Sequence, residues 1–277
     1  MVGMSKLLSG AELAGYIKER QAKQVRALRQ AERIMPKLVI IKSIGASPVI
    51  DTYIRMKRRY GNDILIETAI ETLAEAEMVA AIERLNADET VHGIIVQLPL
   101  DDPAQTDEIV NAIAPHKDVD GLGESADFTS ATAEAIDWLL AGYGVQLAGK
   151  KLTLVGHGRL IGAPLAKLWR GNGYDVTVLD EHSGDIAPVL NESDVIVTAT
   201  GVPRLITADM VPVGATLVDA GTASESGVIV GDADPAVYER TDLTITPAKG
   251  GVGPLTIATL FDHVITAARR VVEGRKS

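Results

Sequence analysis

The sequence predicts an α/β protein of two domains, each built on a parallel sheet and the second of them doubly wound. Short runs rich in Val, Ile and Leu recur along the chain with helical patterns between them, and strand alternating with helix gives parallel layers with helices on their faces. With only two Phe and two Trp the core is aliphatic, as the strands of a parallel sheet require. At 277 residues the chain exceeds the usual size of one domain, and each of two domains can bury a core of its own.

Residues 9–33 are rich in Ala, Glu, Lys, Arg and Gln, with Leu13, Ile17, Val25 and Leu28 on one helical stripe, Ser9 as the cap and Pro36 closing the element. A strand at 38–41 follows, then a loop holding Gly45 and Pro48, and a helix at 50–60 that ends at Gly61. The next apolar run, 64–67, reads as a second strand; a helix over 74–85 leads to a third, 93–96, which ends in Gln97-Leu98-Pro99-Leu100. Residues 107–113 look helical until Pro115 breaks them, and HKDVDGLGES runs on as a polar loop where the chain crosses between domains. A helix at 132–141 bridges to the second domain. Its strands after the opening unit are 195–199, 216–219, 228–230 and 243–245, read as one continuing doubly wound sheet. A last helix, 255–272, follows GGVGP and returns to the first domain, giving domains of 1–120 with 255–277, and 121–254.

The opening unit, 151–183, is the most informative stretch. Residues 152–155 form a buried strand, Gly156-His157-Gly158 a turn, and Gly162 opens a helix with Pro164 in its first turn. The strand that follows ends on Asp180 and Glu181, 18 and 19 positions beyond Gly162. Glycines here let main chain approach a pyrophosphate at the positive end of the helix, and an acid at the end of the second strand accepts a ribose 2′-OH. The stretch therefore reads as a Rossmann-type dinucleotide site with NAD as the natural ligand, NADP being the variant that an acid opposes. A glycine-rich turn of any α/β protein is the plainer reading.

Composition narrows the partners. A net charge of −10 opposes binding to nucleic acid or to an anionic membrane, and leaves small molecules as the expected ligands. With no cysteine, disulfides, thiolate metal sites and cysteine nucleophiles are excluded. No run is long enough to span a membrane and the first residues lack a signal-peptide core, so a cytoplasmic location is expected.

Tyr53 and Lys57 stand four apart in a predicted helix and share a face. Arg55, Arg58 and Arg59 crowd the same turns, which fits a solvated charged face equally, although like charges also favour the neutral lysine that proton transfer needs. Gln97 ends a buried strand, where an amide polarises a ligand or caps a loop. Asp118 and Asp120 flank Val119; a carboxylate there can pair with the N–H groups of a planar heterocycle, or both can simply form turns. Gly250 to Thr256 is either a flexible turn with a cap or a place where main chain meets a flat ring.

YIRMK, VHGIIVQLPL, KDVDG, a glycine turn continuing as IGAP, and ITPAKGGVGPLTIATL occur in that order along nearly the whole chain. In this the chain resembles the bifunctional methylenetetrahydrofolate dehydrogenase/methenyltetrahydrofolate cyclohydrolase family. The resemblance implies two domains around a cleft, a tetrahydrofolate one-carbon substrate on the first, NAD or NADP on the second, and a homodimer. It implies that Lys57 is the catalytic lysine, Gln97 its hydrogen-bonding partner, Tyr53 a ring that stacks on the pterin and Asp120 the pterin anchor. Val96, Leu98, Gly253, Pro254, Leu255 and Thr256 are the implied folate lining; Gly156, His157, Gly158, Gly162, Asp180, Glu181 and Thr222 are the implied cofactor residues. The chain departs from the family pattern at Ile50, where a serine is usual, at Ser130-Ala131-Thr132-Ala133, which replaces Pro-Cys-Thr-Pro, and at Gly156-His157-Gly158, which replaces Gly-Arg-Ser. The second change bears on hydride transfer or substrate range; the third, with Asp180 and Glu181, favours NAD over NADP.

Three other readings compete. A short-chain dehydrogenase also carries Tyr-x-x-x-Lys, but with its glycine turn first. A shikimate-type dehydrogenase has similar architecture without QLPL or DVDG. A non-catalytic or altered-substrate folate or dinucleotide-binding homologue fits the eroded segment, while the joint presence of Tyr53, Lys57, Gln97 and Asp120 favours an enzyme.

Overall fold

The computed structural model of the chain describes residues 6–225 and 228–276. In order, the elements are β1 (Lys6–Leu7), α1 (Gly10–Ala31), β2 (Lys37–Ser43), α2 (Pro48–Asp63), β3 (Glu67–Leu73), α3 (Glu75–Ala87), β4 (Gly93–Val96), α4 (Thr106–Asn111), α5 (Ala131–Gly142), β5 (Leu152–Val155), α6 (Gly162–Gly171), β6 (Val176–Leu179), α7 (Ala187–Leu190), β7 (Val195–Thr198), β8 (Thr216–Asp219), β9 (Ala223–Glu225), β10 (Val228–Val230), α8 (Pro235–Tyr238), β11 (Thr244–Ile245) and α9 (Val252–Lys276). The chain divides into two compact units: Gly15–Ala131 with the chain from Ile257 onward, and Thr132–Thr256 with the chain up to Ala14. The boundary falls at 131/132 where 120/121 was expected, and the first residues group with the second unit, where β1 pairs with β11.

In the first unit three parallel strands lie in the order β3-β2-β4. Leu38 and Ile40 of β2 pack with Ile54 of α2 and Phe261 of α9. Val39 and Ile41 face the other way, against Met78 and Ile82 of α3. The alternation follows from the period of two along a strand, and it sandwiches the sheet between apolar helix faces.

Helix α2 begins at Pro48, whose fixed φ suits a first turn. Its buried stripe is Ile50, Ile54, Lys57 and Gly61, so the lysine occupies a position that the helical period assigns to the core. A Cβ at Gly61 would overlap Thr68 Oγ1 and press on the Phe261 ring, which explains a glycine inside the helix. The helix therefore does not stop at Gly61, and the strand expected at 64–67 is displaced. Ile64 N–H returns to the Tyr60 and Gly61 carbonyls, Leu65 takes a φ of 66°, and the strand runs from Glu67 to Leu73. Ile64 and Ile66 are buried as the plug beneath the helix end. β3 is an edge strand with polar residues among its apolar ones, which hides it from a search for apolar runs.

The second unit is a six-stranded sheet in the order β1-β11-β8-β7-β5-β6, parallel throughout. β5 sits between β6 and β7, so the order reverses there, and ligands of such sheets lie beyond the strands' carboxyl ends at that reversal. The strand expected at 228–230 exists, but it pairs antiparallel with β9 in a separate ribbon. Eight residues separate Asp219 from Val228, too few for the crossover of a dozen or more that a parallel neighbour needs. Among the described residues, no helix is long and apolar enough to cross a membrane.

Candidate functional site

The first unit brings Lys57 and Gln97 together. Gln97 N–H donates to the Ile41 carbonyl at 2.8 Å, which carries the sheet register one residue past β4 and fixes where the side chain starts. Lys57 Nζ donates to Gln97 Oε1 at 2.8 Å, and Gln97 Nε2 turns away to the Leu98 carbonyl at 3.2 Å. The lysine is only 8 % exposed. Burial pushes its pKa below the usual lysine value, and the charge of Asp120 opposes that shift. The cause is desolvation, not repulsion by Arg55, Arg58 and Arg59 as the sequence suggested: Lys57 points inward on the stripe that the exposed arginines lie off. Tyr53, one turn earlier on α2, is half-buried, and burial raises its pKa, keeping the ring neutral.

The loop after α4 separates the two aspartates by role. Asp118 is buried and its carboxylate accepts from Gly121, Leu122 and Gly123 N–H at 3.0, 3.1 and 2.7 Å, so it is a turn-former. Burial raises its pKa while those main-chain donors pull it down. Asp120 stays partly exposed and acts on Lys57 through its charge. Two further side chains, to which the sequence alone assigns no role, hold this loop. Lys117 Nζ donates to the carbonyls of Leu85, Asn86 and Asp88 at 3.0, 2.8 and 2.7 Å, filling the open C-terminal end of α3. His263 Nδ1 lies 2.8 Å from the Val119 carbonyl, with its ring stacked on Phe128. A cation just after Pro115 is visible in the sequence, whereas His263 is distant in the chain and gives no local signal.

Val96 and Leu98 flank Gln97, but Val96 is packed into the α3-side core and can offer a ligand only main chain. Gly253, Pro254, Leu255 and Thr256 form the first turn of α9 and fall in the second unit, with Leu255 fully buried.

In the second unit Gly156 takes a φ of 99° at the end of β5, a region that favours glycine. A Cβ at Gly162 would overlap the Gly156 carbonyl oxygen, while one at Gly158 would meet nothing within 4 Å. Strand and helix thus pack through the first and third glycines and leave open space at the second, which is what a pyrophosphate needs at the positive end of α6. The residues present fit a dinucleotide. Asp180 and Glu181 are exposed beyond the end of β6. Asp180 Oδ1 accepts from His182 N–H and Ser183 Oγ, each at 3.0 Å, and these bonds hold its pKa below the usual range. His157 is exposed and near enough for its charge to act on Asp180. Thr222 is exposed on the loop after β8.

Residues 8–120 match the model of the tetrahydrofolate dehydrogenase/cyclohydrolase catalytic domain and residues 130–272 that of the family's NAD(P)-binding domain. The chain is 35 % identical over 280 residues to the bifunctional protein FolD of Exiguobacterium sibiricum, covering 96 % of this chain and 100 % of that one. It superposes with a TM-score of 0.89 on the crystal structure of the bifunctional FolD methylenetetrahydrofolate dehydrogenase/cyclohydrolase of Campylobacter jejuni, at 33 % identity, covering 96 % and 99 % of the two chains. With the Trypanosoma brucei enzyme, solved with NADP and an inhibitor, the TM-score is 0.90 at 28 % identity, covering 97 % and 99 %.

Gly162→Ala is predicted to force the glycine turn open. Calorimetric titration should show dinucleotide affinity lower by about tenfold or more, the scale of a tight steric misfit; an unchanged affinity would place the ligand elsewhere.

Proposed function

The chain belongs to the tetrahydrofolate dehydrogenase/cyclohydrolase family, and from that premise we propose how its residues share the work. It oxidises 5,10-methylenetetrahydrofolate to the 5,10-methenyl form with NAD(P) and hydrolyses the product to 10-formyltetrahydrofolate. The binding-only and shikimate-type readings gain no support from these matches. The observation that carries the residue assignment is the desolvated Lys57–Gln97 pair.

Tyr53 presents a neutral, half-buried ring on which the pterin stacks, and Asp120 accepts the pterin's N–H groups. The nicotinamide ring, when bound, supplies the hydride acceptor. Loss of hydride leaves a methenyl carbon whose positive charge the two adjacent folate nitrogens share, so what the protein contributes to this step is alignment. In the second step water adds to that carbon. Lys57 takes one of the water's protons on Nζ and returns it to the folate nitrogen released when the ring opens, the remaining hydroxyl proton leaves to solvent as the formyl C=O forms and so discharges the cation, and Gln97 holds Nζ in place. A lysine of ordinary pKa would be almost wholly protonated at neutral pH; the lowered pKa raises the share in the amine form.

NAD is the proposed cofactor. Asp180 is held ionised at the end of β6, where its charge repels a 2′-phosphate and its oxygens accept from a 2′-hydroxyl. The protein is further proposed to be a homodimer, as the family resemblance implies. One side of edge strand β3 is unpaired among the described residues, with Leu65 44 % and Ile70 36 % exposed beside it.

Lys57→Met should abolish enzyme-dependent methenyl hydrolysis, and in the parent protein that rate should rise with pH through the lowered lysine pKa, since only the neutral amine accepts a proton. Hydrolysis that survives the substitution removes Lys57 from the step. Asp180→Ser should raise the NADP to NAD ratio of kcat/KM by about tenfold, the worth of one charge contact; a ratio that stays put counts against the assignment. Light scattering at micromolar concentration should give the mass of two chains, and a one-chain mass would end the dimer proposal.

A further inference from the structure

A buried carboxylate, Asp232, and a half-buried one, Asp219, stand in the second unit apart from the residues of the candidate site. Asp232, fully buried, accepts from Thr198 Oγ1 at 2.6 Å and from Thr200 N–H at 2.7 Å, both on Oδ2. Asp219, at the end of β8, accepts from Gly221 N–H at 2.9 Å and Asp232 N–H at 3.1 Å on Oδ1, and from Ala233 N–H at 2.9 Å and Tyr238 OH at 2.6 Å on Oδ2. The two interlock. A Cβ at Gly221 would overlap the Asp232 carboxylate, and one at Gly231 would overlap that of Asp219, so each glycine is the space the other strand's acid fills.

Asp232 Oδ1 has no hydrogen-bond partner among the described residues. A buried oxygen left in that state destabilises the fold. Stability alone does not explain a carboxylate there, and local rules broken at such cost gather at functional sites. Among the groups that Asp232 and Asp219 hold are one main-chain N–H of the loop after β7, Thr200, and one of the loop after β8, Gly221.

Those loops have a defined place. With the pyrophosphate at the turn after β5 and the adenosine ribose at Asp180 beyond β6, the other half of a dinucleotide must extend over the carboxyl ends of β7 and β8. The loop after β7 adjoins the glycine turn: a Cβ at Gly156 would lie 2.6 Å from the Ala199 carbonyl oxygen and 3.2 Å from Thr200 Cγ2. The loop after β8 carries Thr222, next to the Gly221 N–H that Asp219 holds.

We infer that Asp232 and Asp219 are positioning residues for the nicotinamide half of the cofactor, fixing the main chain at Thr200 and at Gly221 against which that half lies. The inference rests on the cofactor site proposed above. It predicts a loss confined to one half of the ligand. Asp232→Ala should weaken NAD binding, measured calorimetrically, by about tenfold, the scale of a lost charged hydrogen bond. Binding of ADP, which reports the adenosine half alone, should stay within about twofold, because the β5 turn and Asp180 are untouched. Asp232→Asn should restore most of the NAD affinity, since an amide oxygen still accepts from Thr200 N–H. If Asp232→Ala does not fold, Thr198→Val removes one donor to Oδ2 and should weaken NAD by about threefold with ADP unchanged. Unchanged NAD affinity, or equal weakening of NAD and ADP, overturns the inference. A parent protein that binds neither NAD nor NADP would instead remove the cofactor site, and this inference with it.

Discussion

The first unit is organised around the cost of burying one ammonium group. Lys57 lies on the inward stripe of α2 with Ile50 and Ile54, where an unpartnered charge would destabilise the fold by several kcal/mol. Its partner is an amide, and the choice matters. A carboxylate at 2.8 Å would hold the proton firmly; Gln97 Oε1 satisfies the donor without adding a charge, so desolvation dominates and the pKa falls. For this to work the distance must be fixed from both sides. Gln97 is fixed by continuing the β2–β4 register to Ile41, and α2 is fixed by the close fit of Gly61 against Thr68 and Phe261. Packing far from the lysine therefore sets its chemistry.

The loop beside it divides its charges between structure and chemistry. Lys117 is committed to three carbonyls at the end of α3, and Asp118 to three N–H groups of the following turn. With both ends of the loop tied, Asp120 is held in place without using its own carboxylate. Gly121 completes the arrangement: its φ of 68° brings the chain against the Thr129 carbonyl, where a Cβ would not fit. One aspartate is thus consumed in placing the other.

Much of this is legible in the sequence, and what is not has physical reasons. Buried parallel strands such as Gly93–Val96 and Leu152–Val155 show as apolar runs, and both lie where the pattern puts them. The edge strand Glu67–Leu73 does not, because half of its surface is wet and Ile64 and Ile66 nearby imitate a strand while plugging a helix end. The Tyr53 and Lys57 spacing is readable as one helix face, but the helical stripe 50, 54, 57, 61 already marks the lysine as buried, a clue stronger than the arginines beside it. The Asp219 and Asp232 pair stays hidden because its members are 13 residues apart and meet only through the base of a hairpin. The two glycines between them, Gly221 and Gly231, are the available signal.

The unusual segment Ser130-Ala131-Thr132-Ala133 acquires a different meaning from these contacts. In its side chains, it has lost what the family pattern carries there. In its main chain, it keeps a defined role, because Ala131 N–H donates to the Asp120 carbonyl at 3.1 Å as α5 begins, and Ser130, Ala131 and Ala133 are buried. Small side chains at Ser130 and Ala131 let this end of the first unit sit tight against the aspartate loop. A main-chain bond is indifferent to side-chain identity, so the position of Asp120 survives a change that removes two prolines and a cysteine. The same logic holds for the turn at Gly156-His157-Gly158, which depends on φ and on close approach and not on the exposed His157 side chain.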